Sequence, residues 1–467
     1  MAFKKPQIIK NKFVSTIVGS IATFFAVAFI LPLNNFTVYL TSNIHIKQNF
    51  VTMHYGFFIN LIFNFAMTFS SSLGGILETI IGFMGTIFFG MIIVLIGNIL
   101  FIFQQNIWAC YLLTLLVGIG AGITTSLIGK NLTLYAPNKK GIITGIIGLG
   151  TIILSAIFGI LGEKMIVFNG YTLKEDEEYY PEDIAKNVYK IFLVGFITLP
   201  LGGILTSIFI YEFKPEYIES NNNSEDEKNE KGEKILNTEE NKEQTFENRK
   251  NIWIAVKTFR FWKISIISLL VNFPISFMVN TGRTFGAIIG LEGNTLQFLI
   301  VFQAISLILL GPIIGILVDK KGPLVILKIV SIACIIPGIL LPFFMNNIIV
   351  FVFSFIILIL GLVGVLSSFV PFIMEVYGIQ ESVILGGIIN AFSKLSEITT
   401  TVAAFIVSLI YTKNDIQIPY RYIYITGSIC CVFCLLLLFT ESTEKFKYED
   451  NNNDKTLLDS KDENITN

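Results

Sequence analysis

Gly315-Ile316-Leu317-Val318-Asp319-Lys320-Lys321-Gly322-Pro323 is a short polar hinge in an otherwise apolar part of the chain. It separates two runs, at about 295–318 and 324–345, and each has the length of about 20 apolar residues that a membrane-spanning helix needs. Such runs recur along most of the 467 residues, of which 53% are hydrophobic and 14% charged. The sequence therefore predicts an all-α membrane protein that crosses the bilayer many times.

Twelve apolar runs are long enough to cross the membrane, and they fall into two groups of six. We number them spans 1 to 12, at 14–33, 51–77, 83–103, 109–132, 141–162, 189–211, 262–282, 295–318, 324–345, 348–374, 382–411 and 419–440. The groups predict an N-terminal six-helix bundle over 14–211 and a C-terminal six-helix bundle over 257–440. The linker 212–256 and the tail 441–467 are polar, so we expect both to be disordered.

Lysines near the ends of the spans predict the orientation in the membrane. They concentrate on one side, which we call the inner face, and the loop 163–190 on the opposite, outer face is acidic. By the positive-inside rule, the N-terminus 1–13, the linker and the tail are expected to be cytoplasmic. We expect no organelle-targeting leader before span 1, which favours the plasma membrane over an organelle membrane.

A repeat relates the two groups of spans. Five pairs of residues in matching spans share an offset of 241 or 242. The pairs are Gly122 with Gly364, Tyr135 with Tyr377, Gly145 with Gly387, Gly74 with Gly315, and Glu78 with Asp319. This agreement predicts two bundles related by an axis along the membrane normal, with a central cavity between them.

Span 11 carries two charges, Lys394 and Glu397, inside its apolar run. A charge at a helix centre costs roughly 2.5–3.5 kcal/mol on insertion scales, so such a residue usually faces a bundle interior or an aqueous cavity. Three residues apart on a helix, the two side chains can pair. We predict that Lys394 binds the substrate and that Glu397 couples it to a proton. A static structural ion pair is the alternative.

Other polar residues in the spans can line the same cavity. Arg283, at the outer end of span 7, is the other candidate cation of the substrate path, where it would close the outer mouth or attract anions, with snorkelling to lipid headgroups as the alternative. The amides predicted to bind substrate are Asn272, Asn34 and Asn60; Asn64 and Gln303 can line the cavity too, or each of these amides can bond a neighbouring helix.

The hinge resembles the G-x-L-x-D-[RK]-x-G signature of the major facilitator superfamily, which Gly315, Asp319, Lys320 and Gly322 match. The resemblance implies a fold of twelve transmembrane helices in two six-helix bundles, with the hinge gating the inner face. In the first-half copy, Glu78 stands for the aspartate, no basic residue follows it, and the closing glycine is displaced by one residue.

A second motif, Tyr135-Ala-Pro-Asn-Lys139-Lys140-Gly141 followed by Gly145, is similar to the junction between spans 4 and 5 of oxalate/formate antiporters and monocarboxylate transporters. That branch implies proton-coupled or exchange transport of small carboxylates. Its oxalate transporters use an arginine in span 8 and a lysine in span 11. Lys394 matches the lysine, but Gly311-Pro312 occupies the place of the arginine and the following proline.

With one cation remaining, we predict a monocarboxylate such as pyruvate, lactate or formate rather than a dianion. Two alternatives stay open: a transporter of another solute, such as an amino acid, sugar or nucleoside, and a non-transporting receptor on the same fold. The sequence shows no phosphate-binding loop, no metal-ligand cluster and only two histidines, so we expect no enzyme, cofactor or metal site. The expected partners are an anionic substrate, protons and the lipid bilayer, with no nucleic acid and a monomeric state.

Overall fold

The computed structural model of the chain describes residues 12–21, 23, 33–51, 55–104, 106–144, 161–162, 164–166, 179–194, 203, 209–213, 252–288, 293–344, 347–379, 381–410 and 417–446. The regular structure of these residues is helical, which confirms the predicted all-α class. The helices include Lys12–Ile21, Leu33–His45, Tyr55–Ile102, Ile107–Tyr135, Glu182–Ala185, Phe259–Ile288, Gly293–Lys321, Pro323–Phe343, Ile348–Tyr377, Glu381–Ile410 and Gln417–Phe439.

Spans 2 to 4 and 7 to 12 correspond to the long helices. Spans 2 and 3 form one helical run, Tyr55–Ile102, that is broken at Gly82. The helix Leu33–His45 begins at the predicted end of span 1 and continues for 13 residues. Most of spans 5 and 6 lies outside the described residues. Within the described part of the chain, six helices are long and apolar enough to cross a membrane, and one of these, Leu61–Ile102, covers parts of both span 2 and span 3.

Among the described residues, buried apolar side chains form two hydrophobic clusters, one in each half of the chain. The first contains residues from Phe36 to Ile210, and the second contains residues from Ala255 to Leu438. Large apolar side chains such as Leu112 and Leu436 are exposed on the helix surfaces, where a bilayer would cover them. Within the described residues, the hydrophobic core is therefore divided between the two halves of the chain.

The ends of the predicted linker are ordered. Asn131 of span 4 donates to Tyr211 O at 2.9 Å and accepts from Phe213 N at 2.8 Å, which holds residues 211–213 against the first half. Residues 252–256 are helical, and Ala255 is buried in the second-half cluster. The rest of the linker, 214–251, lies outside the described residues.

The start of the predicted tail also differs from the expectation of disorder. Residues 441–446 pack against the second half: Glu441 pairs with Arg260, and Phe446 N donates to Val376 O at 2.7 Å. Polar composition predicted no structure here, but ion pairs and a backbone hydrogen bond offset the cost of ordering. Residues 447–467 lie outside the described residues.

Close packing of spans 2 and 4 depends on Gly122, and Gly122→Ala is expected to destabilise the protein. The added Cβ would lie 1.9 Å from Met67 O and 2.2 Å from Ser70 Oγ. Overpacking of this kind costs roughly 3 kcal/mol, so the melting temperature of the purified protein should fall by several degrees. Gly85→Ala is the matched control, because the nearest atom to its Cβ would be Cβ of Ile81, across the break at Gly82, at an ordinary contact distance of 3.5 Å. Equal melting temperatures for the two variants would contradict this packing.

Candidate functional site

The two charges of span 11 pair with each other and with an amide from the other half of the protein. Lys394 Nζ lies 2.8 Å from Glu397 Oε2, and Asn64 Nδ2 of span 2 donates to Glu397 Oε1 at 3.0 Å. Both carboxylate oxygens therefore have a donor, one from each half of the chain. We call Asn64, Lys394 and Glu397 the central triad.

The central triad is more accessible at the lysine than at the glutamate. The Glu397 side chain is 9% exposed and the Lys394 side chain 26% exposed. Around them, the hydroxyl groups of Ser393 and Ser396 donate to carbonyls of their own helix, and Ser276 of span 7 lies 3.4 Å from Ser396. The lysine end of the central triad is therefore partly exposed, and its carboxylate end is buried.

The other predicted substrate ligands do not join the triad in the described contacts. Asn272 is half-buried and donates to Ser268 O of its own span at 2.8 Å. The side chains of Arg283, Asn34 and Asn60 lie outside what the structure describes, so their predicted roles stay predictions.

Asp319 of the hinge joins the two halves at the inner face. Its carboxylate accepts from Gly141 N at 2.8 Å and from Ile142 N at 3.1 Å, at the start of span 5. These are unpaired donors of a helix N-terminus, where the helix dipole also favours a negative charge. Gly315 makes this approach possible, because a Cβ there would lie 2.4 Å from Gly141 O. The structure thus brings both sequence motifs into one contact.

The corresponding first-half contact has a different chemistry. Glu78 pairs with Lys130 of span 4 at 2.8 Å, within its own half. The contact across the halves is instead made by small residues: Ser72 Oγ donates to Ile384 O of span 11 at 3.3 Å, and a Cβ on Gly75 would lie 2.9 Å from Ile384. We call this contact between spans 2 and 11 the inner seam.

One extra residue explains why Glu78 does not act like Asp319. Gly82 and Gly322 both have the positive φ that closes the hinge, at 76° and 88°. Asp319 lies three residues before its glycine, whereas Glu78 lies four before, which rotates it about 100° around the helix. Thr79 therefore holds the register position of Asp319.

The same shift changes the offset of the repeat at the inner face. Gly75, seven residues before Gly82, matches Gly315, so the offset here is 240 rather than the predicted 241.

The basic residues of the motifs lie at the inner face. Lys139 and Lys320 are exposed, and Lys140 is half-buried. Glu375, near the end of span 10, lies near Lys140, which attracts its carboxylate, and near Asp319, which repels it. The hydrogen bonds of the Asp319 contact come from the span 5 backbone.

Sequence reasoning gave no reason to prefer Asn64 over the other amides, and it missed Glu375 entirely. Asn64 lies 11 residues before Gly75, roughly 16 Å along the helix. Glu397 lies 10 residues after Gly387. Gly387 is at the inner seam, because a Cβ added to it would lie 2.2 Å from Ser72 Oγ. Since spans 2 and 11 are antiparallel, these similar distances from the inner seam are the signal that could have paired the two residues.

Comparisons with known proteins agree with this architecture. None of the curated proteins matches the chain in sequence. Among solved structures, the proton:xylose symporter XylE is 14% identical with a TM-score of 0.67, over 93% of this chain and 96% of that chain. The human organic anion transporter MFSD10 (TETRAN) is 11% identical with a TM-score of 0.59, over 92% and 99%. FucP in the outward conformation is 12% identical with a TM-score of 0.62, over 92% and 99%.

These likenesses show the fold, and the twelve-helix layout of two bundles is consistent with it. The sequence profile described as Major Facilitator Superfamily matches residues 13–401, which is most of the chain. The protein is therefore an integral membrane transporter of the Major Facilitator Superfamily.

Proposed function

We propose that the protein is a secondary active transporter that moves a small monocarboxylate, such as pyruvate, lactate or formate, together with a proton. The observation that carries this proposal is the pairing of an accessible Lys394 with a buried Glu397, which Asn64 of the other half also holds. The proposal places the chain in the oxalate/formate and monocarboxylate branch of its superfamily.

Charge balance in the triad favours a singly charged anion. The ammonium of Lys394 and the carboxylate of Glu397 compensate each other, and a buried charge without a partner is strongly unfavourable. A substrate carboxylate can replace Glu397 at Lys394 if Glu397 takes up one proton. The site then stays neutral, with one anion and one proton bound. A dianion would leave one negative charge without compensation.

The packing of span 8 supports the same preference. At the place where oxalate transporters carry an arginine, Gly311 is buried and its carbonyl accepts from Ser367 of span 10 at 3.4 Å. This position supplies helix packing and no cation. Lys394 is then the positive charge available to bind one substrate carboxylate. A contribution of Arg283 to anion binding, at the outer end of span 7, stays a proposal.

Alternating access follows from the contacts between the halves. The Asp319 contact and the inner seam join the halves at the inner face, and the triad joins them further outward. We propose that the inner face is cytoplasmic, as the exposed Lys139 and Lys320 favour, and that solute enters this conformation from the outer face. Both halves contribute to the triad within one chain, so a monomer suffices.

A neutral polar solute is the second candidate. The triad as it stands has no net charge and offers amide, ammonium and carboxylate groups, which also suit a sugar. XylE and FucP are sugar symporters by name, and MFSD10 is an organic anion transporter by name. The two candidates differ in whether the solute must displace Glu397 from Lys394.

Glu397→Gln is expected to lower proton-driven accumulation of labelled pyruvate in proteoliposomes about tenfold or more, since the amide cannot carry the coupled proton. Exchange of internal for external pyruvate should continue, because Lys394 remains free to bind the anion. Glu182→Gln, on the exposed outer loop, is the matched control.

Two outcomes would count against the proposal. Retention of proton-driven accumulation by Glu397→Gln would remove the coupling role. Competition of the parent protein's uptake by sugars, with none by small carboxylates, would favour the neutral solute.

A further inference from the structure

The segment 440–446, which we call the C-terminal strap, lies under the inner ends of three spans of the second half. Glu441 is at its centre, with a side chain that is 2% exposed. Arg260 Nε donates to Glu441 Oε1 at 2.7 Å, and Lys263 Nζ lies 2.6 Å from Oε2. One buried carboxylate at the end of span 12 is therefore held by two cations at the start of span 7.

Backbone contacts fix the strap on either side of Glu441. Lys263 Nζ donates to Thr440 O at 3.1 Å, and Arg260 Nη2 donates to Ser442 O at 2.8 Å. These hydrogen bonds to backbone carbonyls fix the course of the strap backbone. An ion pair with the Glu441 side chain alone would leave that backbone free to take other courses. The strap is thus a docked part of the second half, and its path is specified by the cations of span 7.

The far end of the strap is attached to span 10. Phe446 N donates to Val376 O at 2.7 Å, and the Phe446 ring lies 5.8 Å from the ring of Tyr377, which is fully buried. Span 10 ends at Tyr377, and Gly378 with φ 91° starts the turn into span 11. The strap therefore holds the junction of spans 10 and 11.

That junction connects both contacts that close the inner face. Glu375, two residues before Tyr377, lies near the Asp319 contact: Lys140 at the start of span 5 attracts its carboxylate, and Asp319 repels it. Ile384, which follows the junction by one turn of span 11, lies in the inner seam with Ser72. We infer that the C-terminal strap stabilises the closed inner face by holding this junction in place, so that releasing the strap shifts the protein towards an open inner face.

Two shortened chains test this inference: one ends at Phe446 and keeps the strap, and the other ends at Thr440 and lacks it. A cysteine placed at Ser72 reports on the inner seam, because a membrane-impermeant maleimide added to the inner face reaches it when spans 2 and 11 separate. The native cysteines lie within apolar spans, four of them buried. The chain ending at Thr440 should be labelled about fivefold faster, equivalent to about 1 kcal/mol.

Point variants separate loss of the strap from poor folding. Phe446→Ala removes the ring contact and keeps the ion pairs of Glu441, so it should also raise the labelling rate. Lys445→Ala is the matched control, because Lys445 is exposed in the same strap. Equal labelling of the two shortened chains, or of the two point variants, would overturn the inference. Neither measurement requires a transported solute, so the result is independent of the proposed substrate.

Discussion

Lys394→Met is expected to lower the uptake of labelled pyruvate roughly a hundredfold. The proposed contact between the ammonium and the substrate carboxylate is a charge-assisted hydrogen bond, and truncating one partner of such a buried pair costs about 3 kcal/mol. Every 1.4 kcal/mol is about tenfold in affinity. Methionine keeps the length of the aliphatic stem and lacks the ammonium, so the loss should come from the charge. Uptake into proteoliposomes measures the effect.

The same substitution leaves Glu397 without its cation, so a folding defect must be distinguished from a binding defect. The double variant Lys394→Met/Glu397→Gln removes both charges and should recover the melting temperature of the parent, while pyruvate uptake stays lost. Lys328→Met is the matched control, since Lys328 lies 5.0 Å from the Phe439 ring, away from the triad. Pyruvate uptake by the double variant at the parent's rate would exclude Lys394 as the anion site.

Sequence was sufficient for the parts of the structure that depend on local properties. The apolar runs predicted the long helices, because the bilayer fixes their length and composition. The spacing of Lys394 and Glu397 predicted their ion pair, because residues three apart share a helix face. The hinge motif predicted the family, and Asp319 does contact the second motif at Gly141.

Contacts between helices far apart in sequence were harder to predict. Asn64 and Glu397 are 333 residues apart. The sequence offered several amides in the spans as equally good donors to Glu397. The first-half hinge was misaligned by one residue, because Glu78 was matched to Asp319 by chemical type. The positive-φ glycines, Gly82 and Gly322, define the correct register. The one-residue displacement of Gly82 is visible in the sequence, but only the backbone shows that both glycines have a positive φ.

The C-terminal strap shows a limit of reasoning from composition. Its residues are polar like the rest of the tail, and polar segments bury too little apolar surface to order themselves. The structure orders the strap through charge: Arg260 and Lys263 begin span 7 next to the end of span 12, where Glu441 follows. The sequence shows opposite charges at the start of span 7 and after the end of span 12. It does not show that these two spans lie next to each other.

Asp319→Ala is expected to have the second largest effect, by weakening closure of the inner face. The variant loses two hydrogen bonds to the N-terminus of span 5, together with a favourable interaction with the helix dipole. A loss of about 2 kcal/mol shifts the balance of closed and open forms roughly thirtyfold. If solute binds from the outer face only when the inner face is closed, its apparent affinity falls in proportion to the fraction of protein that has the inner face closed.

Glu78→Ala is the informative comparison, because the repeat alone would predict equal effects for Glu78 and Asp319. Glu78 pairs with Lys130 inside its own half at partial exposure, and such pairs contribute about 1 kcal/mol or less. The first-half contact across the halves is held by packing around Gly75 and Ser72, which this variant leaves intact. The KM for external pyruvate, and maleimide labelling of a cysteine at Ser72, should therefore change strongly in Asp319→Ala and less than about twofold in Glu78→Ala. Equal changes in the two variants would show that Glu78 closes the inner face as Asp319 does, and that the one-residue shift in register has no functional consequence.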